Sequence, residues 1–197
     1  MVRPFVFGLI LLAIVVEASA IDPDRTRTKG AEALTFCKSQ NYNTDYCILI
    51  DMSIHSGLKR FFIWDFKGDS ISDSFMVTHG CCDGPWALDV NKETPRFSNV
   101  EGSHCSSLGK YRIGQRGHSQ WGIGIKYVLH GLEPTNSNAQ SRYIVFHSWE
   151  RVTDDEIHPH GSVESWGCPS VSDNAMRAID PKLKASERPV LMWIYDR

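Results

Sequence analysis

Two segments of the chain carry residues whose types and spacing suit attack on a carbonyl carbon by a cysteine thiolate. The first is Ser165-Trp166-Gly167-Cys168-Pro169. Gly167 permits a tight turn because it has no Cβ to clash, while Pro169 fixes its own φ and biases Cys168 towards an extended backbone. A cysteine held this way projects from a rigid turn, with backbone N–H groups nearby to receive an oxyanion. Pro169 has no N–H, so those donors must come from Cys168, Gly167 or residues upstream. Taken alone, the pentapeptide suits a buried or disulfide-bonded cysteine better than a nucleophile. The second segment, Arg142-Tyr143-Ile144-Val145-Phe146-His147-Ser148-Trp149, reads as a buried strand with His147 at its C-terminal end. Alternation puts His147 on the face of Tyr143 and Val145, opposite Ile144 and Phe146. A lone histidine ending an apolar strand is more commonly a hydrogen-bonded core residue. The pairing changes that reading, because a thiol with an ordinary pKa of about 8.5 is mostly protonated at neutral pH and needs an imidazole to take its proton. His147 precedes Cys168 by 21 residues, across a loop that carries Pro and Gly.

Such a pair needs a stiff scaffold, and most of the chain reads as short strands. Residues 47–51, 60–65 and 74–78 are rich in β-branched and aromatic side chains and are bounded by Gly, Ser or Asp, with Lys67-Gly68-Asp69 as a hairpin turn. Further strands are expected at 109–113, 122–129, 142–147 and 190–195, and helices at 31–40 and 174–179. The predicted fold is mainly β: a single sandwich or barrel-like domain of short strands over residues 46–197, with a few short helices. Residues 21–45 read as a polar linker (21–30) followed by the first helix. Residues 1–20 read as a secretory signal: Arg3, a 12-residue apolar run from Phe5 to Val16, then Ala18-Ser19-Ala20. That run is short of the roughly 20 residues that span a bilayer, so no stable membrane anchor is expected and the protein is expected to be exported.

The balance of charges excludes one partner class. Formal net charge is −2, and no Lys/Arg run interleaves with aromatics, so a nucleic-acid partner has no electrostatic footprint. Six cysteines, at 37, 47, 81, 82, 105 and 168, would favour disulfides in an oxidising compartment. Cys37 and Cys47 flank a polar turn and are expected to bridge.

Together these segments resemble the L,D-transpeptidase family, whose signature is a histidine followed, after a loop, by Ser-x-Gly-Cys. The match is to the envelope-protein branch, the murein L,D-transpeptidase catalytic domain. It extends to Val77-Thr78-His79-Gly80, Phe97-Ser98-Asn99, Gly102-Ser103, Ser106-Ser107-Leu108-Gly109-Lys110-Tyr111 and Gly131-Leu132-Glu133. Two features depart from relatives: Trp166 stands where many have a second histidine, and Pro169-Ser170-Val171 replaces a common Arg or Asn after the cysteine. The resemblance implies that Cys168 attacks a peptidoglycan stem peptide and forms a thioester, which an amine or water resolves. It makes His147 the base, sets Gly167 in the nucleophile turn, and has a carbonyl or hydroxyl, such as that of Ser148, orient the imidazole. It leaves His79, Ser165, Trp166, Arg142 and Trp149 to bind substrate, with His79 read equally as a structural histidine at a strand end. Family members as a rule lack the other cysteines, and Cys105 is expected to pair with Cys81 or Cys82. No cofactor is implied.

Two other readings were open. His79, Cys81, Cys82, His104, Cys105, His118, His158 and His160 invite a zinc peptidase, but they include no C-x₂-C pair and no His-Glu-x-x-His helix, so no metal is expected. A disulfide-stiffened wall-binding protein without turnover is the other. His158-Pro159-His160, between base and nucleophile, reads as a lid or a surface loop.

Overall fold

A computed structural model describes residues 21–90 and 95–197; the expected signal segment lies outside them. The chain opens with helix α1 (Pro23–Gln40), followed by strands β1 (Tyr46–Asp51), β2 (Phe61–Asp65) and β3 (Ser70–Phe75). Strands β4 (Gly109–His118), β5 (Ile125–Gly131), β6 (Val145–Ser148) and β7 (Ser170–Val171) come next, then helix α2 (Asp173–Ala185) and strand β8 (Leu191–Tyr195). All eight strands form one sheet in the order β3-β2-β1-β8-β4-β5-β6-β7. The sheet nearly closes: Thr78, just after β3, donates its N–H to the Ser170 carbonyl at 3.0 Å, and a parallel bridge joins Gly80 to Ser165. The mainly-β, barrel-like architecture expected from the sequence is therefore the one observed.

Alternating side chains feed two cores. Ile48, Ile50, Phe61, Ile63, Met192 and Ile194 point to the layer that α2 covers, and Cys47, Leu49, Phe62, Trp64, Leu191 and Trp193 to the layer under α1. Central strands covered on both faces have no polar face, which is why they read as unbroken apolar runs.

The first helix starts eight residues earlier than expected, and residues 21–30 are not a linker. Asp22 caps it, accepting from the N–H groups of Asp24 and Arg25 at 3.1 and 3.0 Å, with Pro23 in the first turn; such a cap contributes about 1 kcal/mol. Its buried stripe is Thr26, Gly30, Ala33 and Cys37, which is helical spacing carried by small residues. Gly30 is required for the fit, since a Cβ there would stand 2.3 Å from Trp64 Nε1. Four strands also differ from their expected spans: β3 ends at Phe75, β4 continues to His118, β5 runs on to Gly131, and β6 begins only at Val145. Tyr143 adopts φ +56° and is exposed, because a turn over residues 138–143 precedes the strand. The 67–69 hairpin turn is observed, joining β2 and β3 antiparallel. Helix α2, capped by the Ser172 hydroxyl at 3.1 Å from the Ala175 N–H, runs to Ala185 through Pro181.

Of the disulfides, Cys82–Cys105 is formed, while Cys37, Cys47 and Cys81 are buried thiols. The Cys37–Cys47 bridge expected from the sequence is absent; both residues act as small apolar fillers between α1 and the sheet. The 156–161 loop packs on the backbone of Gly57, which accepts from the Ile157 and His158 N–H groups at 2.8 and 3.1 Å.

Candidate active site

Strands β6 and β7 lie side by side and parallel, with His147 opposite Ser170 and Ser148 opposite Val171. In this parallel register Cys168, two residues before Ser170, comes level with Val145 at the start of β6, on the side of the sheet where His147 opens to the same cavity. Cys168 and His147 line one cavity of about 260 Å³, together with Ser165 and Ser170. Four indoles, Trp86, Trp121, Trp149 and Trp166, form its walls. Trp86 stacks on Trp149 with ring centroids 5.5 Å apart, and Trp121 and Trp166 stand at steep angles to Trp86. Trp149 is buried and Trp166 exposed. A second hollow, walled in part by Glu101, His104, Arg142 and Tyr143, reaches Cys168 from another side.

The turn that holds Cys168 is built from backbone and hydroxyl groups. Gly167 has φ +100°, a conformation that side chains disfavour, and a Cβ there would stand 2.6 Å from the Cys105 carbonyl oxygen. The Ser165 hydroxyl accepts from the Gly167 N–H at 3.1 Å and donates to the Cys168 carbonyl at 2.7 Å. Thr78 Oγ1 donates to the same carbonyl at 3.0 Å and accepts from the Ser170 N–H at 3.0 Å. Ser106 Oγ donates to the Gly167 carbonyl at 3.4 Å and accepts from the Gly80 N–H at 3.0 Å. The Cys168 sulfur lies 3.4 Å from the Val145 N–H. Burial pushes this thiol above its ordinary pKa, against smaller lowering contributions from that N–H, Arg142 and Lys126.

The imidazole is oriented from both sides. Its Nδ1 lies 2.8 Å from the Ser148 carbonyl oxygen, which can only accept, so Nδ1 carries the proton and the lone pair is on Nε2. Nε2 lies 3.0 Å from Ser170 Oγ, which must then donate to it. Burial pushes the pKa of His147 below its ordinary value; the Ser148 carbonyl opposes this, Lys126 adds to it and Glu150 opposes it. Both shifts favour the uncharged form of the group concerned. It is the Ser148 carbonyl that orients the ring, since the Ser148 hydroxyl accepts from the Ile123 N–H at 3.0 Å.

The remaining expected site residues divide. Trp149, Trp166 and Ser165 reach the cavity. Arg142 lines the second hollow, but its guanidinium is held by the protein, donating to the carbonyls of Ser98 and Cys105 at 2.9 and 2.6 Å. His79 has no exposed surface and cannot line a groove. It sits behind the nucleophile turn, accepting at Nδ1 from Arg60 at 2.9 Å, with Nε2 3.5 Å from the Glu164 carboxylate. All three side chains are fully buried, and the backbone carbonyl of His79 accepts from the Ser165 N–H at 2.8 Å. Sequence reading passed over Ser170 and Thr78 as chemistry-bearing residues. The one available signal for Ser170 was its position two residues beyond the nucleophile, on a segment that had to reach the His147 strand. Of the residues that invited a zinc reading, Cys82 and Cys105 are bonded to each other and His104 stacks on Trp166. Among the described residues no group of three or more His, Cys, Asp or Glu is placed to hold a metal ion.

The model of the L,D-transpeptidase catalytic domain matches residues 18–195. The chain belongs to that family. The L,D-transpeptidase domain therefore includes α1 as well as all eight strands. No curated protein matches the chain. Among solved structures, it is similar to the helical cell shape determining protein Pgp2 from Campylobacter jejuni, with a TM-score of 0.47 and 12% identity. A lysine-to-alanine variant of Pgp2 gives a TM-score of 0.47 and 11% identity. In both, the match covers 87% of this chain and 56% of the other, so the domain spans little more than half the length of those proteins. Among the described residues no helix is long and apolar enough to cross a membrane.

Proposed function

We propose that this domain is an exported cysteine acyltransferase of the cell envelope. It forms a thioester between Cys168 and a peptidoglycan stem peptide, then transfers the acyl group to an amine or to water. The observation that carries this reading is the convergence on one cavity of Cys168, on a turn that favours glycine, and His147, whose Nδ1 is held by the Ser148 carbonyl. In the reaction, Nε2 of His147 takes the thiol proton and the sulfur attacks the stem carbonyl. The Gly167 N–H is occupied by Ser165, which leaves the Cys168 N–H as the donor at the turn for the oxyanion. The imidazolium returns its proton to the departing amine. An incoming amine or water then gives a proton to Nε2, attacks the thioester and releases the sulfur. Two hollows meeting at Cys168 suit a transfer in which acyl donor and acceptor approach from different sides.

The test is incubation of the mature protein with disaccharide-tetrapeptide, with products resolved by mass. Cys168→Ala abolishes release of the terminal D-Ala, His147→Ala lowers it by orders of magnitude, and the double variant is scarcely worse than Cys168→Ala. A carbapenem gives a single adduct on the Cys168 peptide. Turnover in Cys168→Ala, or an adduct on Ser106 or Ser107, refutes the assignment. A free Cys168 thiol that takes neither substrate nor carbapenem points to wall binding without turnover.

A further inference from the structure

The base and the nucleophile share a cavity, yet the atom bonded to the lone pair of the base is the hydroxyl oxygen of Ser170. Its direction is fixed. With Nδ1–H donated to the Ser148 carbonyl, Nε2 can only accept, and Ser170 Oγ at 3.0 Å supplies the proton. The hydroxyl is held there by the fold. Ser170 is opposite His147 in the β6–β7 register, its N–H is bonded to Thr78 Oγ1 and its carbonyl to the Thr78 N–H, and it is fully buried. The sulfur, meanwhile, rests on the other strand, near the Val145 N–H at 3.4 Å and the Tyr143 carbonyl at 3.8 Å. Ser170 and Cys168 face the same cavity, one residue apart across Pro169.

We propose that Ser170 lies in the proton path, relaying the thiol proton of Cys168 to His147. The inference rests on the acyltransferase reading and deepens it. In the step, the S–H bond breaks and its proton passes to Ser170 Oγ, while the original hydroxyl proton passes to Nε2. The products are a thiolate, an imidazolium and an unchanged serine, so no charge develops on oxygen at the end of the step. The same path runs backwards when the leaving amine is protonated. An aliphatic hydroxyl suits this role because it donates and accepts at once, and it adds no charge that would disturb the neutral pair. Lys126 and Glu150 also bear on the imidazole, and Arg142 and Lys126 on the thiol, but each acts through its charge and offers no path for the proton.

The experiment compares Ser170→Ala, Ser170→Thr and the unaltered protein for the rate of Cys168 acylation by disaccharide-tetrapeptide at neutral pH, in water and in mixtures with heavy water. The relay requires acylation at least about tenfold slower in Ser170→Ala, recovery in Ser170→Thr, and a bowed dependence on deuterium fraction that becomes linear in Ser170→Ala. Unchanged or faster acylation in Ser170→Ala overturns the relay, since Nε2 then reaches the sulfur directly. Equal slowing in the Ala and Thr variants, with a linear dependence throughout, also overturns it and leaves Ser170 a packing residue. Alkylation of Cys168 by iodoacetamide, followed by peptide mapping, separates this inference from the substrate assignment. If the unaltered protein takes no stem peptide, slower alkylation in Ser170→Ala still supports the relay, and equal alkylation overturns it.

Discussion

Replacing Gly167 by alanine tests whether the nucleophile turn is as tightly determined as its geometry implies. At φ +100° an added Cβ is strained whatever space surrounds it, at a cost of about 1–3 kcal/mol. The space is also taken: the new Cβ would lie 2.6 Å from the Cys105 carbonyl oxygen and 3.3 Å from Ile144 Cδ1. That carbonyl cannot retreat cheaply, because Cys105 is bonded to Cys82 and its oxygen accepts from Arg142 at 2.6 Å. Overpacking of this kind costs a further 1–3 kcal/mol or so. The sum, about 2–6 kcal/mol, corresponds to a fall in Tm of roughly 5–25 °C for a domain of this size. Relief must come from movement of residues 166–168, and a displacement of about 1 Å at the sulfur costs on the order of 100-fold in rate. Thermal melting and the rate of carbapenem acylation read the two consequences separately. A Gly167→Ala protein that melts within about 2 °C of the parent and acylates at a similar rate refutes the argument for the turn.

Burial depresses the pKa of His147 and raises that of Cys168. The acid limb of acylation is therefore expected below the ordinary histidine value of about 6.5, with the plateau continuing past the ordinary thiol value; a limb at or above 6.5 refutes the neutral pair. The same depression means that the unfolded chain takes up the His147 proton first. The stability it confers is complete above about pH 6.5 and falls as the pH drops through that value, which thermal melts of His147→Ala and the parent across pH 5–8 would reveal as converging curves (a constant gap rejects it). Glu164→Leu leaves Arg60 and His79 buried without the carboxylate and should cost about 3–5 kcal/mol, while Glu164→Gln costs less; denaturant melts showing no loss in the Leu variant contradict the pairing. Thiol titration of the denatured, unreduced domain should count four cysteines, Cys37, Cys47, Cys81 and Cys168, and in the native state only Cys168 should react quickly. A count of two would restore the Cys37–Cys47 bridge.

The strands and the Cys168–His147 pair were legible because each left a local trace. Continuous apolar runs marked β1, β2 and β8, and the Gly-Cys-Pro turn and strand-end histidine were visible as residue types at a spacing. The first eight residues of α1 and its N-cap were illegible, since Thr26, Gly30 and Ala33 make a buried stripe without a large apolar side chain. Their significance depends on Trp64, some 34 residues beyond Gly30, and no local pattern could supply that. His79 reads from the sequence equally as a groove residue, because its segment matches relatives, and as a structural histidine at a strand end; its burial follows from Arg60 and Glu164, which are distant in sequence and meet it only when the sheet closes. Ser170 was passed over for the same reason. Its hydroxyl has a role only once β7 is laid beside β6.

Burial favours the uncharged form of both members of the pair, and among the described residues no carboxylate is bonded to either to offset it. A carboxylate in place of the Ser148 carbonyl or the Ser170 hydroxyl would stabilise imidazolium and, through it, the thiolate. The fold instead surrounds the turn with hydroxyls: those of Thr78, Ser106 and Ser170 each join two segments, and that of Ser165 braces the turn from within. Its nearest strong carboxylate–cation arrangement, Arg60, His79 and Glu164, is set behind the turn, where it ties residues 77–79 to residue 164. The two devices divide the work: buried charges behind the turn fix the backbone, and buried neutral hydroxyls around it orient the reactive atoms. A neutral thiol oxidises more slowly than a thiolate. In the oxidising compartment proposed for this protein, a nucleophile that ionises only as its proton is drawn off during attack would survive between turnovers. A permanent ion pair would not have that protection.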